Sequence, residues 1–200
     1  MHPNSVFRWE DRAAMRSLVA EIGFGTLFAS TPDGPRVAHV PATWDGDDRL
    51  LFHLARGNAL TRHLERATAL FTVLGPDGYV SPDWYGLDCN QVPTWNYVAV
   101  ELEGVVTSLD RDALVAQLDG LAKQQEARLA PKAPWTRAKM EPPALEAMLR
   151  GITGFALRVQ GWRGTAKLNQ NKPEGARLAA ADALAVNGRP AIAHWMRMLP

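Results

Sequence analysis

The stretch from Gly25 to Ala55 constrains this chain most. Gly25 to Ser30 reads as a strand, closed by the turn Pro32-Asp33-Gly34. Arg36 to Thr43 returns, Asp45 to Asp48 turns again, and Arg49 to Ala55 forms a third strand. Strands linked by such short turns must pair antiparallel, because a parallel pair needs a crossover of a dozen residues or more. The chain is therefore expected to be mainly β, built on an antiparallel meander.

The flanking segments fit this core. Asp11 to Ile22 reads as an amphipathic helix with Met15, Leu18, Val19 and Ile22 on one face, ended by Gly23. Asn58 caps an expected short helix over Ala59 to Arg66. Thr68 to Leu74, Tyr79 to Val80, Tyr97 to Thr107 and Phe155 to Trp162 read as further strands. Asp110 to Arg128 reads as a helix burying Leu114, Leu118 and Leu121, with Pro131 to Pro143 as a connector and Leu145 to Arg150 as a short helix. From Lys172 onward, short helical pieces alternate with Gly and Pro breaks. Strands and helices do not alternate as βαβ units, so a small antiparallel barrel with flanking helices is expected over residues 1–171, with a helical extension over 172–200.

Charge limits the partners. The net charge is +1, which gives little non-specific attraction to DNA. Seven Lys/Arg against two Asp/Glu from Arg158 onward make the C-terminal segment mildly basic. The single cysteine, Cys89, excludes an internal disulfide, and no apolar run reaches membrane-spanning length. A cytoplasmic protein is expected.

Four polar-aromatic segments are the candidate chemistry. Ala38-His39-Val40-Pro41 places a proline in a strand, which calls for an edge, a bulge or a replaced neighbour. His39 is open to two readings, structural or ligand-facing. Phe52 to Asn58 runs a strand containing His53 into Arg56-Gly57-Asn58 at an expected helix start, where backbone N–H groups and a guanidinium suit an anion. A plain capped helix with a surface arginine is the alternative. Val92 to Tyr97 carries Thr94, Trp95 and Asn96, which pack as core or hold a flat heteroaromatic ligand. Ala166 to Pro173 carries Lys167, Asn169 and Gln170, a solvated loop or a second set of ligand donors. The histidines lack metal-ligand spacing, and no nucleophile elbow is present.

In order and spacing, "AHVP", "FHLARGN", "GPDGYVSPDWY", "VPTWNY" and "KLNQN" resemble the PaiB family of FMN-binding negative transcriptional regulators, from about Pro3 to about Asn171. The resemblance implies an FMN-binding split β-barrel, antiparallel and Greek-key-like, related to flavin reductases and pyridoxamine 5′-phosphate oxidases. It also implies a homodimer with FMN at the interface. Arg56 and Asn58 would hold the phosphate, and His39, Val40 and Pro41 would run along the isoalloxazine. Trp95, Asn96, Lys167 and Gln170 would close the site, from the same or the partner subunit; in a flavin-dependent oxidoreductase, His53 or Lys167 would stabilise a reduced, anionic ring. The sequence departs from the family at His2 (usually Tyr), Ala156 (usually Glu), Asn169 (usually Ser) and Gly75-Pro76-Asp77 (usually Gly-Pro-His). Besides a regulator, a flavin-dependent oxidoreductase and a haem or other planar-ligand binder remain open, the last with His39 or His53 as axial ligand.

Overall fold

The computed structural model describes residues 2–199. Seven strands and five α-helices follow the order β1 (Arg8–Trp9), α1 (Arg12–Ile22), β2 (Phe24–Thr31), β3 (Gly34–Asp45), β4 (Arg49–Ala55), β5 (Thr68–Val80), β6 (Thr94–Ser108), α2 (Arg111–Ala127), α3 (Pro142–Arg150), β7 (Ile152–Lys167), α4 (Glu174–Val186) and α5 (Pro190–Met198). The strands join in the order β1-β7-β4-β3-β2-β5-β6, and β6 also pairs with β7. The pairings with β1, β2, β3 and β4 are antiparallel.

The chain divides into two compact units. One comprises residues 19–72 and 102–161. It holds the β2-β3-β4 meander, extended by β5 beside β2 and by β7 beside β4. Register partners Phe52 and Phe155 stack with centroids 5.6 Å apart, and each is buried. Leu27, Leu50, Phe71 and Leu157 fill the rest, each side chain stabilising by about 1.5–3 kcal/mol relative to exposure. Gly104 on β6 lies hard against β7, since a Cβ there would stand 2.0 Å from the Arg158 carbonyl oxygen.

The other unit comprises residues 1–18, 73–101 and 162–200. β1 pairs with the end of β7, Trp9 opposite Gly164, where a Cβ would meet the Trp9 carbonyl at 2.6 Å. Helices α4 and α5 join through Asn187-Gly188-Arg189, with Gly188 at φ +78°. They bury Leu184, Ile192 and Met196.

Several expectations need correction. Ala59 to Arg66 makes only a three-residue 3-10 turn, Thr61–His63. Leu60 and Leu64 are both drawn into the core, and the Arg66 N–H donates to Val106 of β6 at 2.9 Å, with Arg66 at φ +61°. That donor is lost to a helical ladder. β5 runs unbroken through Gly75-Pro76-Asp77-Gly78, where two strands were expected. On α2, Leu114 is buried but Leu118 and Leu121 are only half-buried. The inward face carries Gln117 instead.

Pro41 does not mark an edge, because β3 lies between β2 and β4. Its missing donor is tolerated because the β4 ladder ends one residue away, at Ala42 opposite Phe52. On the other side Ala42 donates to the Gly23 carbonyl.

Candidate functional site

The expected site residues fall into two groups, one in each unit. In the meander unit, alternation sends Val40 into the core and presents His39 outward beside a half-buried Pro41. Val40 thus offers only its main chain to the outer face. Across the ladder, Phe24 opposes Pro41, Thr26 opposes His39, and Phe28 opposes Val37. The Thr26 hydroxyl bonds His39 Nδ1 at 3.0 Å, leaving Nε2 as the outer ring atom. Around this polar pair the face is apolar and open: Phe24 is 52% exposed, Phe28 39% and Val37 50%. Leu70 and Thr72 of β5 continue the rows of Phe28 and Thr26.

His53 projects from β4 and is half-buried, with Nδ1 3.2 Å from Gln117 Oε1. Burial lowers its pKa below the ordinary 6.5, and the Gln117 bond offsets part of the effect. At neutral pH the ring is therefore uncharged, a hydrogen-bonding group rather than a cation.

Beyond β4, Arg56 is anchored to the start of β7. Its main-chain N–H donates to Gly151 O at 2.8 Å, its Nε to Arg150 O at 2.9 Å and its Nη2 to Ile152 O at 3.5 Å. A guanidinium carries five N–H donors, so three remain without a protein acceptor among the described residues. Gly57 follows, where a Cβ would meet nothing within 4 Å. Asn58 Oδ1 accepts from Leu60 N–H at 2.9 Å, and the Thr61 hydroxyl donates to Ala55 O. A three-residue 3-10 turn supplies no helix terminus for an anion, so an anion here would fall to side-chain donors and single backbone N–H groups.

The second group lies in the unit with both termini. Thr94, Trp95 and Asn96 open β6, and Lys167 closes β7. Lys167 Nζ donates to Thr94 Oγ1 and stands 5.9 Å from the Phe7 ring centroid. Its pKa is lowered by burial. Trp95 faces outward, its indole N–H donating to Asp77 Oδ1 at 2.9 Å and its ring edge-on to Tyr79 at 6.2 Å. Asn96 turns the other way. It is fully buried, donates from Nδ2 to Met196 Sδ at 3.3 Å, and leaves Oδ1 unpartnered. Gln170 bonds its own loop at both ends, Oε1 to Leu168 N–H at 2.7 Å and Nε2 to Ala166 O at 2.6 Å. Asn169, at φ +63°, is buried beside Tyr85, whose pKa burial raises.

Sequence reasoning passed over Thr26 and Gln117, and met Asp77 only as a departure from the family pattern. Each bonds a residue singled out in the sequence, but only strand register or helix docking reveals it. Among the described residues no cluster of three or more His, Cys, Asp or Glu is placed to hold a metal ion.

A family model described as "Putative FMN-binding domain" matches residues 1–161. The chain belongs to that family. Within it, the chain is 30% identical over 178 residues to protease synthase and sporulation protein PAI 2 of Bacillus subtilis, covering 87% of this chain and 84% of that one. An uncharacterised protein of Saccharomyces cerevisiae is 31% identical over 132 residues, covering 59% of this chain and 78% of its own. The fold of this family member is similar to an FAD and haem binding protein from Mycobacterium smegmatis, at TM-score 0.59 and 21% identity over 80% of this chain and 73% of that one. The flavocytochrome Anf3 from Azotobacter vinelandii gives 0.58 and 17%, over 83% and 72%. Those likenesses establish the split-barrel fold, a mostly antiparallel seven-stranded sheet with five helices.

Proposed function

We propose that this protein binds FMN as a homodimer in the cytoplasm and serves as a negative regulator of transcription. The observation that carries the flavin reading is the anchored Arg56 guanidinium beside the open Gly57. Two main-chain carbonyls fix the fork before any ligand arrives, which lowers the ordering cost of gripping a phosphate. Asn58 Nδ2 and the Gly57 backbone lie next in the chain to add neutral donors. His39, held by Thr26, presents Nε2 to the rim of a flat ring, with Phe24 and Phe28 as apolar neighbours. In the other unit, Lys167 and Trp95 present donors of their own, held to Thr94 and Asp77, while Asn96 and Gln170 shape the segments that carry them. FMN, when bound, supplies one- and two-electron redox chemistry.

The Bacillus relative carries the name of a protease synthase and sporulation protein, and the regulatory output proposed here rests on that likeness. Charge argues that the output does not come from gripping DNA. Of the basic residues after Arg158, Arg163 pairs with Glu101, Arg177 with Glu174 and Arg197 with Asp182. The exposed free thiol of Cys89 fits a reducing compartment. The apolar outer face of β2 and β3 supports self-association.

The absorption spectrum of protein titrated with FMN tests the reading. A band near ~450 nm that follows the protein through gel filtration is expected. Arg56→Ala should weaken binding by about 1.5–3 kcal/mol, the range for charge-assisted hydrogen bonds. A Soret band from haem with no flavin uptake would overturn the assignment.

A further inference from the structure

The meander unit has a cavity that the flavin reading does not use. It measures about 440 Å³ and lies among α2, α3 and the connector between them. Val115, Leu118 and Ala122 of α2 line one side, Met148 and Leu149 of α3 another, and Trp135 of the connector a third. Helix α2 turns Gln117 inward to His53 and gives Gln124 to the Ala20 carbonyl at 2.7 Å. Its more apolar stripe is thus left to this cavity, the reverse of what a helix normally buries. The cavity opens to solvent, an apolar lining left uncovered, and its size lies within the ~300–1,000 Å³ of small-molecule sites. Met140 and Met148 add side chains that adapt to shape.

The charged groups at the cavity say what the occupant carries. Glu126 already accepts from Lys132 Nζ and from the Trp135 N–H at 2.8 Å. Asp119 accepts from Arg137 Nε at 2.9 Å. Arg137 is held through that one nitrogen, and its two terminal nitrogens have no acceptor among the described residues. We propose that this cavity binds a small amphipathic carboxylic acid, its apolar body against Leu118 and Met148 and its carboxylate on the Arg137 terminal nitrogens.

Calorimetric titration of the full 200-residue chain with octanoate tests this, with octan-1-ol and acetate as comparisons. Octanoate is expected to bind saturably at one site per chain below about 1 mM. Acetate should give no saturable heat, and octan-1-ol should bind at least about fivefold more weakly. Met148→Trp should abolish octanoate binding by filling the space. Met148 is 64% exposed, so this variant keeps the fold. Arg137→Gln should weaken octanoate at least about fivefold and leave octan-1-ol unchanged. Octanoate binding that survives Met148→Trp overturns the location, and equal affinity for octanoate and octan-1-ol overturns the carboxylate contact. No octanoate binding, with Met148→Trp shifting the chain from dimer to monomer, would show that a second copy covers the cavity instead.

Discussion

His53 carries a charge-state question that the rest of β4 does not. Its pKa is lowered mainly by burial, so the folded protein resists protonating it. Below the ordinary value of 6.5 the unfolded chain takes up a proton that the folded chain declines, and stability falls as pH drops. Above that value both states are neutral and the effect vanishes. Urea denaturation of the wild type should therefore show stability declining as pH falls below 6.5, down to the folded pKa. In His53→Leu that component of the slope should disappear; an unchanged slope would assign the acid sensitivity to other groups. Gly57 offers a complementary test. With nothing within 4 Å of a Cβ, Gly57→Ala should leave stability within about 1 kcal/mol while weakening FMN, as read by fluorescence titration. Equal weakening of fold and ligand binding would remove the open space from the proposed phosphate site.

At the scale of elements, β6 and β7 cross most closely at Gly104. A Cβ placed 2.0 Å from the Arg158 carbonyl oxygen meets backbone, which cannot swing away. Gly104→Ala should cost about 3 kcal/mol or more in chemical denaturation, at the upper end for overpacking. The outer face of β2 and β3 should fail differently. Replacing Phe28 and Val37 with Lys and Glu should leave the fold intact and convert the proposed dimer to monomer in light scattering. A C2 contact repeats each change twice, so a loss of about 4 kcal/mol or more is expected. The meander was readable in the sequence because short turns and two-residue alternation are local signals. The Thr61–His63 turn was not, because Val106, far along the chain, takes the Arg66 N–H. For the same reason Arg56 could be singled out from its neighbours, but its anchoring by Arg150 and Ile152 could not. Asn96 shows the limit from the other side: its motif read as ligand chemistry, while its register on β6 turns it toward Met196.

The whole molecule has two units that no linker separates. The chain passes between them within α1, β5, β6 and β7, so every crossing falls inside a helix or a strand. Ligand binding should therefore register as one cooperative event, with FMN at about 100 times its Kd adding ~2.7 kcal/mol to a single unfolding transition. Two transitions, of which FMN shifts only one, would contradict this.

The pairing of Trp9 with Gly164 also sets an order in time. As the chain leaves the ribosome, Phe7 and Trp9 emerge well ahead of residues 164–165 and find no strand to join until those follow. At ordinary synthesis rates of ~5–20 residues per second that wait lasts roughly 8–30 s, with two large aromatic side chains uncovered throughout. The nascent β1 segment is thus a natural client for a chaperone, and any truncation before β7 leaves it in that state permanently.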